Sequence, residues 1–287
     1  MVVNRVARHA GRCFHDVVTT DASPADLLRR FHEQVRLADR DHGPGQVLEH
    51  DGLIRRAYPT DPSEEGAMVE SPEGLGPDPD ATIRRQVEFF RARGQVVEWK
   101  TYAYDEPADL PEVLRAYGFV PEAPEALVLG PAERLAHPVT LPGRYAVRAL
   151  SGDDEWTQVA ALDVSIFGEE RAGWSRLLRE EEAADPVHVR SVVALDEETG
   201  AVVGHGILRL VEGTDFAGLW GGKVHPDHRG RGLYRAMTAA RARWALDSGH
   251  AVCRVDALPT SRPILERLGM VQVTTTTPCV LRPSGTG

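Results

Sequence analysis

One run constrains this chain more than any other: Val224-His225-Pro226-Asp227-His228-Arg229-Gly230-Arg231-Gly232-Leu233-Tyr234-Arg235. A β-branched strand end passes through Pro226 into an Arg-Gly-Arg-Gly loop, and a helical pattern begins at once at Leu233. A helix start leaves backbone N–H groups without intrahelical partners, and glycines let the chain bend around a ligand and approach it closely. Arg229, Arg231 and Arg235 crowd the first turn, where the helix dipole disfavours cations. A bound polyanion resolves that conflict, so the run predicts an anion-binding strand–loop–helix unit.

The elements around this run follow from periodicity and punctuation. Strand 144–150 precedes helices at 154–167 and 171–184, and strands 188–195 and 201–211 form a hairpin about Glu197-Glu198-Thr199-Gly200. Strand 216–224 feeds the loop. Helix 233–248 ends at Gly249, strand 251–256 follows, and helix 261–268 ends at Gly269. Segments 271–275 and 278–281 read as a closing hairpin. The first half repeats the later part of this order: helix 81–93, Gly94, strand 96–102, helix 110–117, Gly118. That repetition predicts an internal duplication. The expected organisation is a tail at 1–20, a first domain at 21–130, a Pro-rich linker at 131–143 and a second domain at 144–283.

Composition narrows the partners. A net charge of −10 argues against a broad nucleic-acid or anionic-membrane surface, and no apolar run approaches the roughly 20 residues of a membrane-spanning helix. Met1 to Thr20 has no apolar core of the secretory kind, and Cys13, Cys253 and Cys279 form neither a disulfide framework nor a metal spacing. A cytoplasmic protein without a metal site is the expectation. Basic residues are almost all arginine, Lys100 and Lys223 being the only lysines, which fits a high-GC bacterial genome.

At the Arg229–Arg235 loop the sequence resembles the acetyl-CoA loop of the GNAT N-acetyltransferase superfamily, Arg/Gln-x-x-Gly-x-Gly/Ala after a strand ending Val-x-Pro. Arg229 and Gly232 take the first and fourth positions, and Tyr234 stands where that family usually has Gly or Ala. Residues 98–102, 105, 109–110 and 118–119 resemble the first half of bacterial tandem GNAT proteins. The resemblance implies an α/β (α+β) fold of two GNAT-like domains. Each would be a mixed, mostly antiparallel sheet flanked by helices, with one splayed parallel strand pair. It implies acetyl-CoA as co-substrate, held by Lys223, Val224, Arg229, Gly230, Arg231, Gly232, Leu233, Tyr234 and Arg235. Val224 would pair its backbone with the pantetheine arm, and Tyr234 would either crowd or bond the pyrophosphate. The first half has no such loop ahead of its helix, so the resemblance implies a degenerate, chiefly structural domain there.

The implied activity is transfer of acetyl to a primary amine, of a small molecule, by direct attack in a ternary complex. Such chemistry needs a neutral amine, a donor to the developing oxyanion and a proton for the thiolate. The tyrosine that commonly serves as acid in this family is replaced by Leu265. Ser261 is a substitute donor, with helix N-capping as its plain role. Asp256, at the end of a splayed strand, and Glu169, after the first helix, are the candidates for base or amine binding. His205 reads as a packed strand residue and His225-x-x-His228 as a loop pair without further ligands. A non-catalytic acyl-CoA-binding or interaction module, and a protein or peptide acetyltransferase, are the competing readings.

Overall fold

Runs such as Ala126-Leu127-Val128-Leu129 and Val252-Cys253 are apolar at successive positions, the signature of strands covered on both faces. In the computed structural model, which describes residues 22–38, 46–168 and 173–283, they lie at the centre of the molecule. Before them come β1 (Val47–Asp51), β2 (Ile54–Tyr58), β3 (Ala67–Glu70), β4 (Val97–Tyr102) and the short β5 (Val120–Pro121). The rest are β6 (Glu125–Pro131), β7 (Tyr145–Ala149), β8 (Val189–Asp196), β9 (Ala201–Leu210), β10 (Phe216–Val224), β11 (Val252–Ala257) and β12 (Val271–Leu281). Among the described residues these form one sheet in the order β1-β2-β3-β4-β12-β6-β11-β10-β9-β8-β7, with β5 beside β12.

The two halves share a plan. β1, β2 and β3 run antiparallel and β3 is parallel to β4; likewise β8, β9 and β10 run antiparallel and β10 is parallel to β11. Helices α2 (Pro79–Arg93) and α7 (Leu233–Asp247) make the two parallel crossovers, and α3 (Leu110–Arg115) and α8 (Arg262–Arg267) follow them. This is a mixed α/β fold with a mostly antiparallel sheet, as expected. Gly94 (φ 64°) and Gly249 (φ 84°) both turn left-handed after their helices, the backbone state that favours glycine at a helix end.

The halves are joined by exchange of their last strands. β6, from the first half, pairs antiparallel with β11 from Val252↔Pro131 to Ala257↔Ala126. β12, from the second half, pairs with β4 from Thr276↔Tyr102 to Leu281↔Val97. The two exchanged strands also pair with each other, Val271↔Leu129 to Thr276↔Glu125. The expected closing hairpin at 271–281 is therefore a single strand. Pro278 suggested a turn, but it sits where the β6 ladder has ended, at Thr276, and the β5 ladder has not begun, at Cys279. A missing N–H is tolerated in such a gap.

One face of the sheet is covered by α2, α3, α4 (Ala132–Leu135), α7 and α8, with Phe90, Leu114, Leu135, Ala242 and Leu265 in its cores. The other carries α1 (Pro24–Phe31), α5 (Asp153–Phe167) and α6 (Trp174–Ala184). The stretch expected to be a linker is packed: Ala132, Leu135 and Ala136 are buried beside α7, and Val139 and Leu141 lie against Gly232. Its prolines marked a chain reversal, while its few apolar residues dock it. No helix among the described residues is long and apolar enough to cross a membrane. The segment 1–20 and Cys13 lie outside the described residues.

Candidate active site

β10 and β11 pair only at Phe216↔Val252, Ala217↔Cys253 and Gly218↔Arg254. Both continue, to Val224 and Ala257, without pairing to each other, so a gap opens between them. The divergence is built by Trp220-Gly221-Gly222. β10 stays on β9 but shifts register between Trp220 and Lys223, with Gly221 at φ 59°. The carbonyl that the bulge releases, Trp220 O, accepts from Arg241 Nη1 of α7 at 3.1 Å. The same guanidinium donates to Ile207 O (3.2 Å) and Met237 O (3.1 Å) and is 1% exposed. A Cβ on Gly206 would meet Arg241 Nη1 at 2.8 Å. Gly204-His205-Gly206 is thus a close-approach site for α7. His205 between them is fully buried at 5.7 Å from the Trp156 ring, and burial holds it neutral.

The predicted loop closes one end of the gap. Gly230 (φ 75°) and Gly232 (φ 84°) are both left-handed. Arg231 Nη1 donates to Asp227 O (2.5 Å) and Arg229 O (3.2 Å), and Arg229 Nε to Val224 O (3.0 Å), so two arginines brace the loop. His225 Nδ1 accepts from Asp227 N–H (3.3 Å), and His228 Nδ1 meets the Tyr145 hydroxyl (3.1 Å); both rings order the turn. α7 starts at Gly232 without a side-chain cap, and its first bond is Ala236 N–H to Gly232 O. The N–H groups of residues 230–235 find no acceptor among the described residues. The matching helix of the first half starts differently: Asp78 caps α2 and accepts from Ala81 N–H at 3.0 Å. Its own carboxylate occupies the place an anion would take.

A cavity of about 810 Å³ runs through the gap, walled by Gly222–Val224, Gly232–Arg235, Leu258 and Ser261, and reaching Ile166 and Phe167 at the end of α5. Lys223, His228, Arg229, Arg235 and Arg267 line it, and no carboxylate does among the described residues. Val224 N–H points into it. His225 N–H donates to Val203 O on β9 (2.8 Å), so alternation turns the preceding N–H away from β9 and toward the gap.

Tyr234 does not crowd the loop. Its ring lies against Gly222, where a Cβ would meet Tyr234 Cε2 at 2.9 Å, and its hydroxyl lies near Ser261. Burial raises the phenol above its ordinary value against smaller opposing effects of Arg241 and Ser261, so it stays protonated at neutral pH. Ser261 takes the N-cap position of α8 as expected, but its Oγ donates to Leu258 O (3.3 Å) and makes no capping bond. Leu265 is fully buried in the core.

Other predicted residues sit differently from expectation. Lys223 borders the cavity, but its ammonium is buried against Asp163 of α5 at 2.5 Å. Arg231 serves the loop and does not line the cavity. Asp256 is not an unencumbered base: its side chain, 3% exposed, is ion-paired with Lys100 of β4. Leu233 packs in the core beside Val224 and Met237, leaving its N–H to the loop. Glu169 lies outside the described residues. Sequence reasoning missed Gly221, Gly222, Arg241 and Lys100. The adjacent glycines in an apolar strand were the signal for the first two; nothing local marks the others.

Residues 156–270 match the acetyltransferase (GNAT) family model. This segment is a GNAT acetyltransferase domain. That domain supports acyltransferase activity. Solved structures with the same fold extend beyond that domain. A GCN5-related N-acetyltransferase from Kribbella flavida superposes with TM-score 0.63 at 14% identity, covering 91% of this chain and 95% of that one. A tandem GNAT protein from the clavulanic acid biosynthesis pathway, solved without AcCoA, gives TM-score 0.60 at 14% identity, covering 92% and 97%. A GCN5-related N-acetyltransferase from Sphaerobacter thermophilus gives TM-score 0.59 at 16% identity, covering 92% and 87%. The first half of this chain therefore shares the GNAT domain's superposition at the level of fold. A search of curated proteins finds none that matches this chain.

Proposed function

We propose that the chain is an acetyl-CoA-dependent N-acetyltransferase acting on a primary amine of a small molecule, by direct attack in a ternary complex. One observation carries the reading: the cavity through the splayed strands ends on free loop amides and arginines and has no described carboxylate in its wall, in a chain of net charge −10. The residues fit a pyrophosphate-bearing thioester. The amides of residues 230–235, with Arg229 and Arg235, are the donors for the phosphates, and the unpaired edge of β10 at Val224 is the backbone partner for an extended arm.

Acetyl-CoA would supply the activated acyl group. Val224 N–H, aimed into the gap, is the donor for the acyl oxygen. Tyr234, protonated and packed beside Gly222, holds the proton that the leaving sulfur requires, and so takes the place left by Leu265. The first half, with its helix start capped by Asp78, is read as a partner in the fold without a coenzyme site of its own.

Thermal unfolding with and without acetyl-CoA tests the coenzyme, and thiol release on an amine panel tests the reaction. A ligand at about 100 times its Kd stabilises the native state by about 2.7 kcal/mol. A shift together with thiol release supports the proposal. A shift with no release on any amine favours the non-catalytic module, and no shift removes acetyl-CoA from the account.

A further inference from the structure

The exchange of strands brings a set of charged side chains together on the α1/α5 face of the sheet, at the seam between the halves. Thr276 of β12 stands opposite Tyr102 of β4 and opposite Glu125 of β6, so all three share that face with Lys100 and Glu98, at alternate positions of β4. Asp256 of β11 stands opposite Leu127, two residues from Glu125. The Trp220 ring, at the point where β10 leaves β11, lies 5.2 Å from Lys100 Nζ and 5.0 Å from the Arg254 guanidinium. One step past the last pair, Ala257↔Ala126, Glu125 comes level with Leu258, a wall of the coenzyme cavity.

Within this set two buried oxygens make no hydrogen bond. Asp256 Oδ2 is taken by Lys100, but Asp256 Oδ1 has no partner, and Thr276 Oγ1, on a fully buried residue, has none. Buried acceptors left unmet cost stability, and such groups call for a donor. An alkylammonium brings three N–H donors and one positive charge.

We propose that the acceptor site of this enzyme spans the two halves, that it takes a primary alkylammonium against Glu125 and the free oxygen of Asp256, and that Glu125 is the catalytic base. The proposal rests on the acetyltransferase reading above. The ammonium gives one proton to the Glu125 carboxylate, and the nitrogen lone pair forms the C–N bond to the acyl carbon. The C–S bond breaks with its electrons on sulfur. The second N–H proton replaces the one that Tyr234 gives to the thiolate, leaving amide, thiol and a protonated Glu125 that returns its proton to water.

The charges facing Glu125 suit that task. Burial pushes its carboxyl up, Asp256, Glu98 and Glu122 push the same way, and Lys100 opposes them, leaving it at about 7. Glu98, more deeply placed, is also raised, first by burial. A group poised there can both accept and release a proton at neutral pH.

The test uses the full chain with carboxyl-¹³C glutamate, followed by NMR through a pH titration, with butylamine as probe and butanol as the uncharged control. Glu125→Gln assigns the Glu125 signal. The expected result is titration near 7 that moves down when butylamine is added and does not move with butanol. Glu125→Gln should weaken butylamine binding at least tenfold while the thermal shift with acetyl-CoA is retained. A Glu125 signal that titrates in the ordinary carboxylate range, or that ignores butylamine, overturns the proposal. Loss of the acetyl-CoA shift in the wild type, by contrast, overturns the coenzyme reading alone, because the amine arm contains no coenzyme.

Discussion

Tyr234 shows how the direction of one side chain decides what it can reach. Its position on the loop suggested the pyrophosphate, yet the ring turns inward against Gly222. Tyr234→Phe should lower kcat by roughly 10²-fold, the lower end for a lost acid catalyst, with acetyl-CoA affinity unchanged in calorimetric titration. A matched loss of coenzyme affinity would return Tyr234 to a binding role. Arg235 makes the opposite case. It is exposed, in the first turn of α7, and lines the cavity. Arg235→Glu should leave the free protein as stable or gain about 0.3–1 kcal/mol from the helix dipole. It should weaken acetyl-CoA by at least about tenfold, the worth of one charge-assisted bond. Denaturant unfolding and titration on the same preparation separate the two effects.

The elements matter through the way they part company. β10 and β11 form a gap because β10 bulges at Gly221, and the bulge is affordable because Arg241 of α7 caps the released Trp220 carbonyl. That guanidinium needs the space a Cβ at Gly206 would fill. Gly206→Ala should therefore cost about 1–3 kcal/mol, as overpacking of a filled interior does, read as a lower urea midpoint with unchanged slope. A neutral result would mean that Arg241 can move without loss, and that the bulge does not depend on it.

Strand exchange makes the whole molecule one cooperative object. With β6 and β12 each hydrogen-bonded across the halves, fluorescence and far-UV dichroism should follow a single coincident unfolding transition. Two separated transitions would show that the halves hold independently. The Lys100–Asp256 pair ties them chemically as well, with both side chains under 10% exposed. Lys100→Met should destabilise by roughly 3–5 kcal/mol by leaving a buried carboxylate unpaired, and adding Asp256→Leu should recover most of it. The raised carboxyl of Glu125 sets a pH signature. Native protein keeps that proton up to about 7, whereas the unfolded chain releases it near 4.5, so the stabilisation is full below 4.5 and is lost as pH rises to about 7. Between those limits the stability of wild type relative to Glu125→Gln should fall with pH.

The loop, the order of elements and the repeated plan of the halves were legible because they depend on local chemistry. Glycines at 230 and 232 permit left-handed backbone, arginines crowd a helix start, and hydrophobic period changes from strand to helix within a few residues. Even the gap had a local trace in Gly221-Gly222. What the residues did not reveal was pairing between distant segments: that 271–281 is one strand, that it crosses to β4, that Lys100 meets Asp256, and that the Tyr234 ring faces Gly222. A strand's own sequence specifies which face is apolar but not which neighbour it joins, and a buried charge is marked only by a partner far along the chain. The loop at the end of the cavity is built from consecutive residues and so can be read in sequence; the charged seam between the halves is assembled across the fold and cannot.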